Sequence, residues 1–210
     1  MKKKHVSKEQ LRRRELVKNE KRCQEFDFDL AYKLLVDITK VFEKKNIPYH
    51  LEGGTLLGIV RDKALLPWDH DLDISVPQSA EKSAYRALLP LLLKGWQLSR
   101  RRWWRFDLVK VKGSRIIKVR KKDHGWFHSG TVYLDIFVKV NSQGFSYWQA
   151  KEKLMRVDAA YYDGFEYVSD GKNQFRAPKN YEGYLTEKYG DWSIPVKEWD
   201  CGSDEKTIVE

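Results

Sequence analysis

The sequence has little cysteine and no long apolar run. Only two cysteines occur in 210 residues, Cys23 and Cys201, so we expect neither a disulfide framework nor a cysteine-based metal site. The apolar stretch from Ala87 to Leu93 is interrupted by Pro90 and is too short to span a bilayer. The first residues, Met1 to Lys4, lead into a polar segment without an apolar leader, so a cytosolic location is expected.

Acidic residues are scarce in two parts of the chain. The net charge is +10. Residues 100–122 contain eleven Lys or Arg against one acid, and the first 25 residues contain ten Lys or Arg against four Glu. Such basic zones indicate an anionic partner, which could be a phosphate-rich donor, an anionic glycan, a lipid head-group surface or nucleic acid. Solubility alone is the alternative explanation.

The overall composition is that of a globular chain with a core. Hydrophobic residues make up 41% and aromatic residues 13%, and the length favours one domain. There are no internal repeats and no low-complexity linker. We expect a basic N-terminal helix in residues 1–25, a folded domain in residues 26–200 and a polar tail in residues 201–210.

The pattern of apolar residues predicts an α+β fold, with helices packed on a mixed β-sheet. Helices are expected over residues 7–22, 27–45, 55–61, 79–93, 151–156 and 178–189. Strands are expected over residues 49–52, 71–76, 96–102, 104–112, 115–121, 132–140, 165–168 and 175–178. Ser79 is predicted to cap the N-terminus of one helix, and Gly190 to end the last one.

Three carboxylates alternate at Asp69, Asp71 and Asp73, the last two within a predicted strand. Alternate residues of an extended strand point to the same face, and like charges at that spacing repel unless a cation or a proton compensates them. Hard oxygen ligands in a tight cluster suit Mg²⁺ or Mn²⁺. The pattern therefore predicts a metal-dependent phosphoryl- or nucleotidyl-transfer site.

Two further segments fit such a site. Gly53, Gly54 and Thr55 form a glycine turn whose backbone N–H groups could approach phosphates, and Arg61 could bind a donor phosphate through two hydrogen bonds. Asp135 is a lone acid in an apolar strand, where an unpaired carboxylate would be costly to bury.

The acids then take different roles. Asp71 and Asp73 are expected to bind metal, because phosphoryl transfer needs its charge neutralised. Asp135 is expected to bind a second metal or to accept the proton of the acceptor hydroxyl. Asp69 is expected to be a further metal ligand or to orient one.

Three segments in this order resemble the LicD family, which includes bacterial phosphocholine transferases and fukutin-related ribitol-phosphate transferases. They are Gly53-Gly54-Thr55-Leu56-Leu57-Gly58, Pro67-Trp68-Asp69-His70-Asp71-Leu72-Asp73 and Tyr133-Leu134-Asp135-Ile136-Phe137. Residues 177–192 also resemble that family's closing element. The resemblance covers roughly residues 27–195 and implies a nucleotidyltransferase-like fold around one or two Mg²⁺. It further implies transfer of a phospho-alcohol, such as phosphocholine or ribitol phosphate, from a CDP-activated donor to a glycan hydroxyl.

Two other functions stay open. A nucleotidyltransferase would use the same metal site to add NMP to a small molecule, protein or RNA, releasing pyrophosphate. A basic module binding nucleic acid or an anionic membrane would need no metal. The complete carboxylate set disfavours that module, so nucleic acid is not an expected partner. In a combined hypothesis, the basic segments hold the enzyme at the anionic inner face of a membrane, beside a lipid-linked saccharide acceptor.

Overall fold

A computed structural model describes residues 25–103, 113–122 and 129–209. The helix expected over residues 7–22 and the strand expected over residues 104–112 lie outside these ranges. Within the described part of the chain, no helix combines the length and the apolar character needed to cross a bilayer.

Four α-helices and nine β-strands make up the described architecture. The helices are α1 (Phe28–Lys44), α2 (Gly53–Arg61), α3 (Glu81–Leu88) and α4 (Tyr181–Tyr189). The strands are β1 (His50–Leu51), β2 (Leu72–Pro77), β3 (Trp96–Arg102), β4 (Ser114–Lys122), β5 (Ser129–Ser142), β6 (Phe145–Ala150), β7 (Lys153–Asp158), β8 (Glu166–Ser169) and β9 (Gln174–Ala177). Short 3₁₀ helices cover Gln78–Ala80, Leu89–Lys94 and Ala159–Tyr162. The predicted α+β fold with a mixed sheet is confirmed.

The main sheet has the order β1-β2-β5-β4-β3. The central strands β2 and β5 are parallel, and the other pairs in this path are antiparallel. The end of β5 also pairs with β6, which pairs with β7, while β8 and β9 form a separate hairpin. A parallel pair at the centre needs a crossover connection between its strands, and α3, β3 and β4 lie within that connection.

Side-chain alternation gives the two faces of the sheet different chemistry. One face of β2 and β5 is apolar and fully buried, through Leu72, Ile74, Val76, Leu134, Ile136 and Val138. The amphipathic α1 contributes its own buried stripe to the same core, through Ala31, Leu34, Leu35, Ile38 and Phe42. The intervening residues of β2 and β5, among them Asp73 and Asp135, therefore point to the opposite face.

Several element predictions are corrected by the structure. Residues 151–156 are not a helix, because a turn at Lys151 leads into β7; β6 was not predicted. Ser79 lies within a 3₁₀ turn, and α3 begins after Ala80 without a side-chain cap. Helix α4 begins at Tyr181 rather than at residue 178, because Asn180 caps it. Gly190 ends α4 as expected.

The segment after residue 200, expected to be a polar tail, lies against the domain. Glu205 and Thr207 are buried. Ile208 forms a β-bridge with Met155 of β7, and the backbone N–H of Val209 donates to the Leu154 carbonyl at 2.9 Å. This segment therefore adds buried contacts to the fold.

Asn180 offers a test of how α4 is anchored. It adopts φ +52°, and its side chain accepts a hydrogen bond from the Gly183 N–H at 3.3 Å. Asn180→Ala removes this cap and introduces a residue that tolerates the left-handed region less well than Asn, so we expect a loss of about 1–2 kcal/mol of unfolding free energy. Asn180→Gly, which tolerates that φ, should lose only about a few tenths. Urea unfolding of both variants measures the difference; equal losses would contradict this account.

Candidate active site

Strand register brings two of the predicted acids together. Asp73 of β2 lies directly opposite Asp135 of β5 in the parallel pair, and Asp135 lies opposite Lys118 of β4. Neighbouring strands are about 4.8 Å apart, so these three residues form one row across the sheet. The row lies on the face opposite the main apolar core.

The glycines that the sequence predicted as a turn form the start of α2. This glycine turn allows two carboxylates, those of Asp73 and Asp69, to approach the backbone closely. A Cβ on Gly53 would lie 2.4 Å from Asp73 Oδ2, and a Cβ on Gly54 would lie 1.8 Å from Asp69 Oδ2. Both contacts are too short for a side chain. Gly53 also has φ +56° at the start of α2, where glycine carries no steric penalty. The two glycines are therefore required by the carboxylates themselves.

Thr55 orients the strand that carries the acids. Its hydroxyl oxygen accepts a hydrogen bond from the Asp73 N–H at 2.9 Å, and the Glu52 N–H donates to the Asp73 carbonyl at 3.0 Å. These bonds hold the start of α2 against β2. Gly54, Thr55, Asp69 and Asp71 also line one small cleft with Phe26, Leu65 and Leu66.

The acids repel one another in this arrangement. Burial raises the pKa of Asp69 well above its usual value, and the charge of Asp71 raises it further. Burial also raises the pKa of Asp73, with added repulsion from Asp71, Asp135 and Asp69. Burial and mutual repulsion thus both disfavour the ionised forms of Asp69 and Asp73.

Asp135 is buried and has two unlike oxygens. Its Oδ2 contacts the ammonium of Lys118, whereas its Oδ1 is buried without a hydrogen-bond partner. Burial raises the pKa of Asp135, and Lys118 opposes that rise. The sequence analysis did not identify Lys118, although the β4 pattern of alternating basic and apolar residues placed it on a sheet face.

The fit to a divalent cation rests on these carboxylates. In the described ranges, no three His, Cys, Asp or Glu side chains are already arranged to hold a metal ion. Asp71, Asp73 and Asp135 nevertheless offer the all-oxygen donor set that Mg²⁺ or Mn²⁺ prefers. The unpartnered Oδ1 of Asp135 supplies a further free ligand atom. Asp69 interacts with Asp71 and lines the same cleft, so it could join them.

Arg61 lies apart from the acids, at the last position of α2. Its guanidinium donates to the Asp62 carboxylate at 2.7 and 3.0 Å and to the Trp192 carbonyl at 3.2 Å. It also lies 5.9 Å from the centre of the Trp68 ring. Arg61 thus joins α2 to the segment after α4, and binding of a donor phosphate by Arg61 stays a prediction.

A buried ionic network lies behind the glycine turn, and sequence reasoning missed it. Glu52, only 2% exposed, accepts hydrogen bonds from the Tyr162 and Tyr184 hydroxyls at 2.6 and 2.5 Å. Its carboxylate lies 3.2 Å from the Lys139 ammonium, which in turn lies 3.4 Å from the centre of the Trp148 ring. Burial alone would raise the pKa of Glu52, but the nearby cations and phenols lower it.

A second buried pair connects this network to the acids. Lys188 of α4 contacts Glu205 at 2.6 Å, with both side chains buried. Burial would lower the pKa of Lys188, but Glu205 and Glu52 outweigh it and raise that pKa. Lys188 also lowers the pKa of Asp73, so α4 contributes positive potential at the site. Lys188 and Glu205 stand in polar stretches of the sequence, so no sequence signal indicated this buried pair.

A family model matches residues 46–180, and its description is LicD/FKTN/FKRP, nucleotidyltransferase domain. The match covers more than half of the chain and contains the glycine turn and every predicted acid. The chain belongs to this family. The resemblance noted in the sequence is therefore confirmed, and the paired acids lie within the LicD nucleotidyltransferase domain.

Curated relatives match shorter stretches. An uncharacterized protein of Rickettsia prowazekii is 30% identical over 104 residues, covering 50% of this chain and 38% of the relative. One of Rickettsia typhi is 44% identical over 50 residues, covering 24% and 16%. The lipopolysaccharide cholinephosphotransferase LicD of Haemophilus influenzae is 50% identical over 32 residues, covering 15% and 12%. The chain thus aligns with well under half the length of each of these relatives.

Among solved structures, ANT(2″)-Ia in complex with adenylyl-2″-tobramycin superposes with a TM-score of 0.44 and 12% identity. The superposition covers 81% of each chain.

Removing Glu52 should destabilise the protein strongly. Glu52→Gln leaves the buried Lys139 ammonium without its counter-ion, so we expect a loss of about 3–5 kcal/mol in unfolding free energy. Adding Lys139→Met should recover much of that loss. Lys151→Met breaks an exposed ion pair with Asp200 at 2.6 Å and should change stability by about 0–1 kcal/mol. Chemical denaturation measures all three; a Glu52→Gln loss no larger than the Lys151→Met loss would refute the network's role.

Asp73→Asn should stabilise the protein when divalent cations are removed. The raised pKa of Asp73 means that its ionisation opposes folding. Wild-type stability should therefore fall as pH rises from the ordinary carboxyl pKa through this raised value, and the variant should lose that fall. At neutral pH we expect a gain of at least about 1 kcal/mol. Thermal unfolding in EDTA measures it, and added Mg²⁺ should stabilise the wild type more than the variant. A less stable variant in EDTA would contradict the repulsion.

Proposed function

We propose that the chain is a metal-dependent transferase that moves a phospho-alcohol from a CDP-linked donor to a hydroxyl of a saccharide or its lipid-linked precursor. The observation that carries this proposal is the pairing of Asp73 with Asp135 across parallel strands, with Asp69 and Asp71 beside the glycine turn. Family membership supports it, as does the stretch shared with the Haemophilus influenzae cholinephosphotransferase. Phosphocholine and ribitol phosphate are the groups that we consider first.

Phosphoryl transfer depends on positioning and charge neutralisation. A bound Mg²⁺ or Mn²⁺ would supply the positive charge that phosphate oxygens need at this site. Asp71, Asp73 and Asp135 are the residues that would hold the ion, with Asp69 beside them. Thr55 and Glu52 hold Asp73 through hydrogen bonds to its backbone: the Thr55 hydroxyl accepts from the Asp73 N–H, and the Glu52 N–H donates to the Asp73 carbonyl.

Asp135 can also serve the acceptor. Its Oδ1 has no hydrogen-bond partner, while Oδ2 contacts Lys118. Because burial raises the pKa of Asp135, its carboxylate is a stronger base than an exposed one. We therefore assign to Oδ1 either contact with the cation or acceptance of the proton that the acceptor hydroxyl loses.

Cationic side chains extend the site toward β3. Lys118 and Arg120 alternate along β4 and share the face that carries Asp135. Arg101 of β3 lies opposite Ile116 on the same face, and it is exposed. This half of the face suits the phosphates of a CDP-linked donor, because positive potential attracts and orients them.

A donor screen tests the proposal. CDP-choline, CDP-ribitol, CDP-glycerol and CDP-ethanolamine are each incubated with the protein and Mg²⁺ or Mn²⁺, and released CMP is measured. Asp71→Asn, Asp73→Asn and Asp135→Asn should each lower CMP release by about a hundredfold or more. Asp37→Asn, at an exposed position of α1, is the matched control and should be unaffected. Turnover that survives the first three substitutions would overturn the assignment.

The same assay distinguishes the other functions. Pyrophosphate released from CTP or ATP, without CMP from any CDP-alcohol, would assign nucleotidyl transfer instead. Metal-independent and strongly salt-dependent binding of RNA, without turnover, would assign a binding module.

A further inference from the structure

The turn after α3 exposes a group of leucines. Leu89, Leu92 and Leu93, within the 3₁₀ helix Leu89–Lys94, are 41%, 45% and 93% exposed. Single exposed leucines are common, but three within one turn form a contiguous apolar patch. Gly95 ends the turn at φ +77° and directs the chain into β3, so the leucines protrude at a corner of the domain. We call residues 89–94 the leucine turn.

Positive charge surrounds the leucine turn. No Asp or Glu occurs from residue 82 to residue 102. Lys82 and Arg86 are exposed one turn apart on α3, so they share one face of the helix that leads into the leucine turn. Lys94 is exposed at the end of the turn.

Two contacts extend the basic surroundings onto the sheet. The Arg100 guanidinium of β3 lies 4.5 Å from the centre of the Tyr85 ring on α3. The Lys121 ammonium of β4 donates to the Lys94 carbonyl at 3.3 Å and lies 5.1 Å from the Trp96 ring centre. The leucine turn is therefore framed by cations from α3, β3 and β4.

We propose that the leucine turn docks on the surface of an anionic phospholipid bilayer. Apolar side chains at a protruding corner can enter the boundary between head groups and acyl chains, while surrounding Lys and Arg contact lipid phosphates. A side chain as exposed as Leu93 stands clear of its neighbours, so it forms no groove for a partner helix. Nucleic acid would use the cations but would leave the leucines in water.

This inference rests on the proposed function and deepens it, since docking would hold the enzyme at the membrane that carries a lipid-linked acceptor. Binding to lipid requires no donor and no turnover, so it can be tested separately. The leucine turn packs on the helical side of the sheet, away from the row of acids, and its substitution should leave the chemistry unchanged.

Sedimentation with vesicles tests the docking. The full chain is mixed with vesicles of phosphatidylcholine alone or of equal parts phosphatidylcholine and phosphatidylglycerol. The wild type should bind the anionic vesicles preferentially. Leu92→Ser with Leu93→Ser should weaken that binding about tenfold or more. Ile194→Ser with Val196→Ser alters two other exposed apolar residues, and this matched control should bind as the wild type does.

A charge variant tests whether the basic residues beside the leucine turn contribute to the binding of anionic lipid. Lys82→Gln with Arg86→Gln should weaken binding to anionic vesicles and reduce its dependence on salt, with the leucines intact. CMP release from a soluble CDP-alcohol, without vesicles, should be unchanged in both the leucine and the charge variants. If the wild type itself releases no CMP, the result counts against the proposed function and not against docking.

Other outcomes overturn the inference. Absence of wild-type binding to either vesicle would refute it, as would unchanged binding by the leucine variant. If deletion of residues 1–24 abolishes binding while the leucine variant retains it, the N-terminal segment and not the leucine turn is the anchor. Displacement of the protein from vesicles by RNA at equal phosphate concentration would assign the surface to nucleic acid.

Discussion

The carboxylate of Glu52 is the contact on which the rest of the site depends. It immediately precedes the glycine turn, and it is held by two phenols and by the Lys139 ammonium. A buried charge is tolerated only when paired and hydrogen-bonded. Glu52 meets that condition with groups from β5, α4 and the 3₁₀ helix before β8. Its own N–H then fixes the Asp73 carbonyl.

Two electrostatic situations lie side by side in this domain. The network of Glu52, Lys139, Lys188 and Glu205 matches negative with positive charge inside the protein. Among the neighbouring acids, Asp135 pairs with Lys118, whereas burial and then repulsion from the other carboxylates raise the pKa values of Asp69 and Asp73. The paired charges of the Glu52 network stabilise the structure around Asp69, Asp71 and Asp73. That stability offsets the cost of crowding these carboxylates in the folded state. The metal ion of the proposed function would relieve this repulsion.

The sequence predicted what is local and repetitive. Alternation along residues 71–76 and the apolar run over residues 132–140 indicated both central strands, and Asp135 stood out as a lone acid before its register with Asp73 was visible. Turn residues were harder: Asn180 in a left-handed conformation and the bend at Lys151 depend on neighbours that no short pattern reveals. Lys118 and the Glu52 network escaped because ion pairs join positions far apart in the chain. The contact of Arg61 with the Trp192 carbonyl also joins distant positions, and no sequence pattern indicated it.

The Glu52 network also determines when a working site can exist. Its members come from the start of α2, from β5, from α4 and from the segment around Glu205, so most of the described chain separates the first from the last. Contacts between such distant positions form late, because long loops must close first. A growing polypeptide therefore carries its acids for some time without the supporting cations. Any ligand of these acids should consequently bind only after α4 and the Glu205 segment have docked, which makes ligand binding a late step of folding.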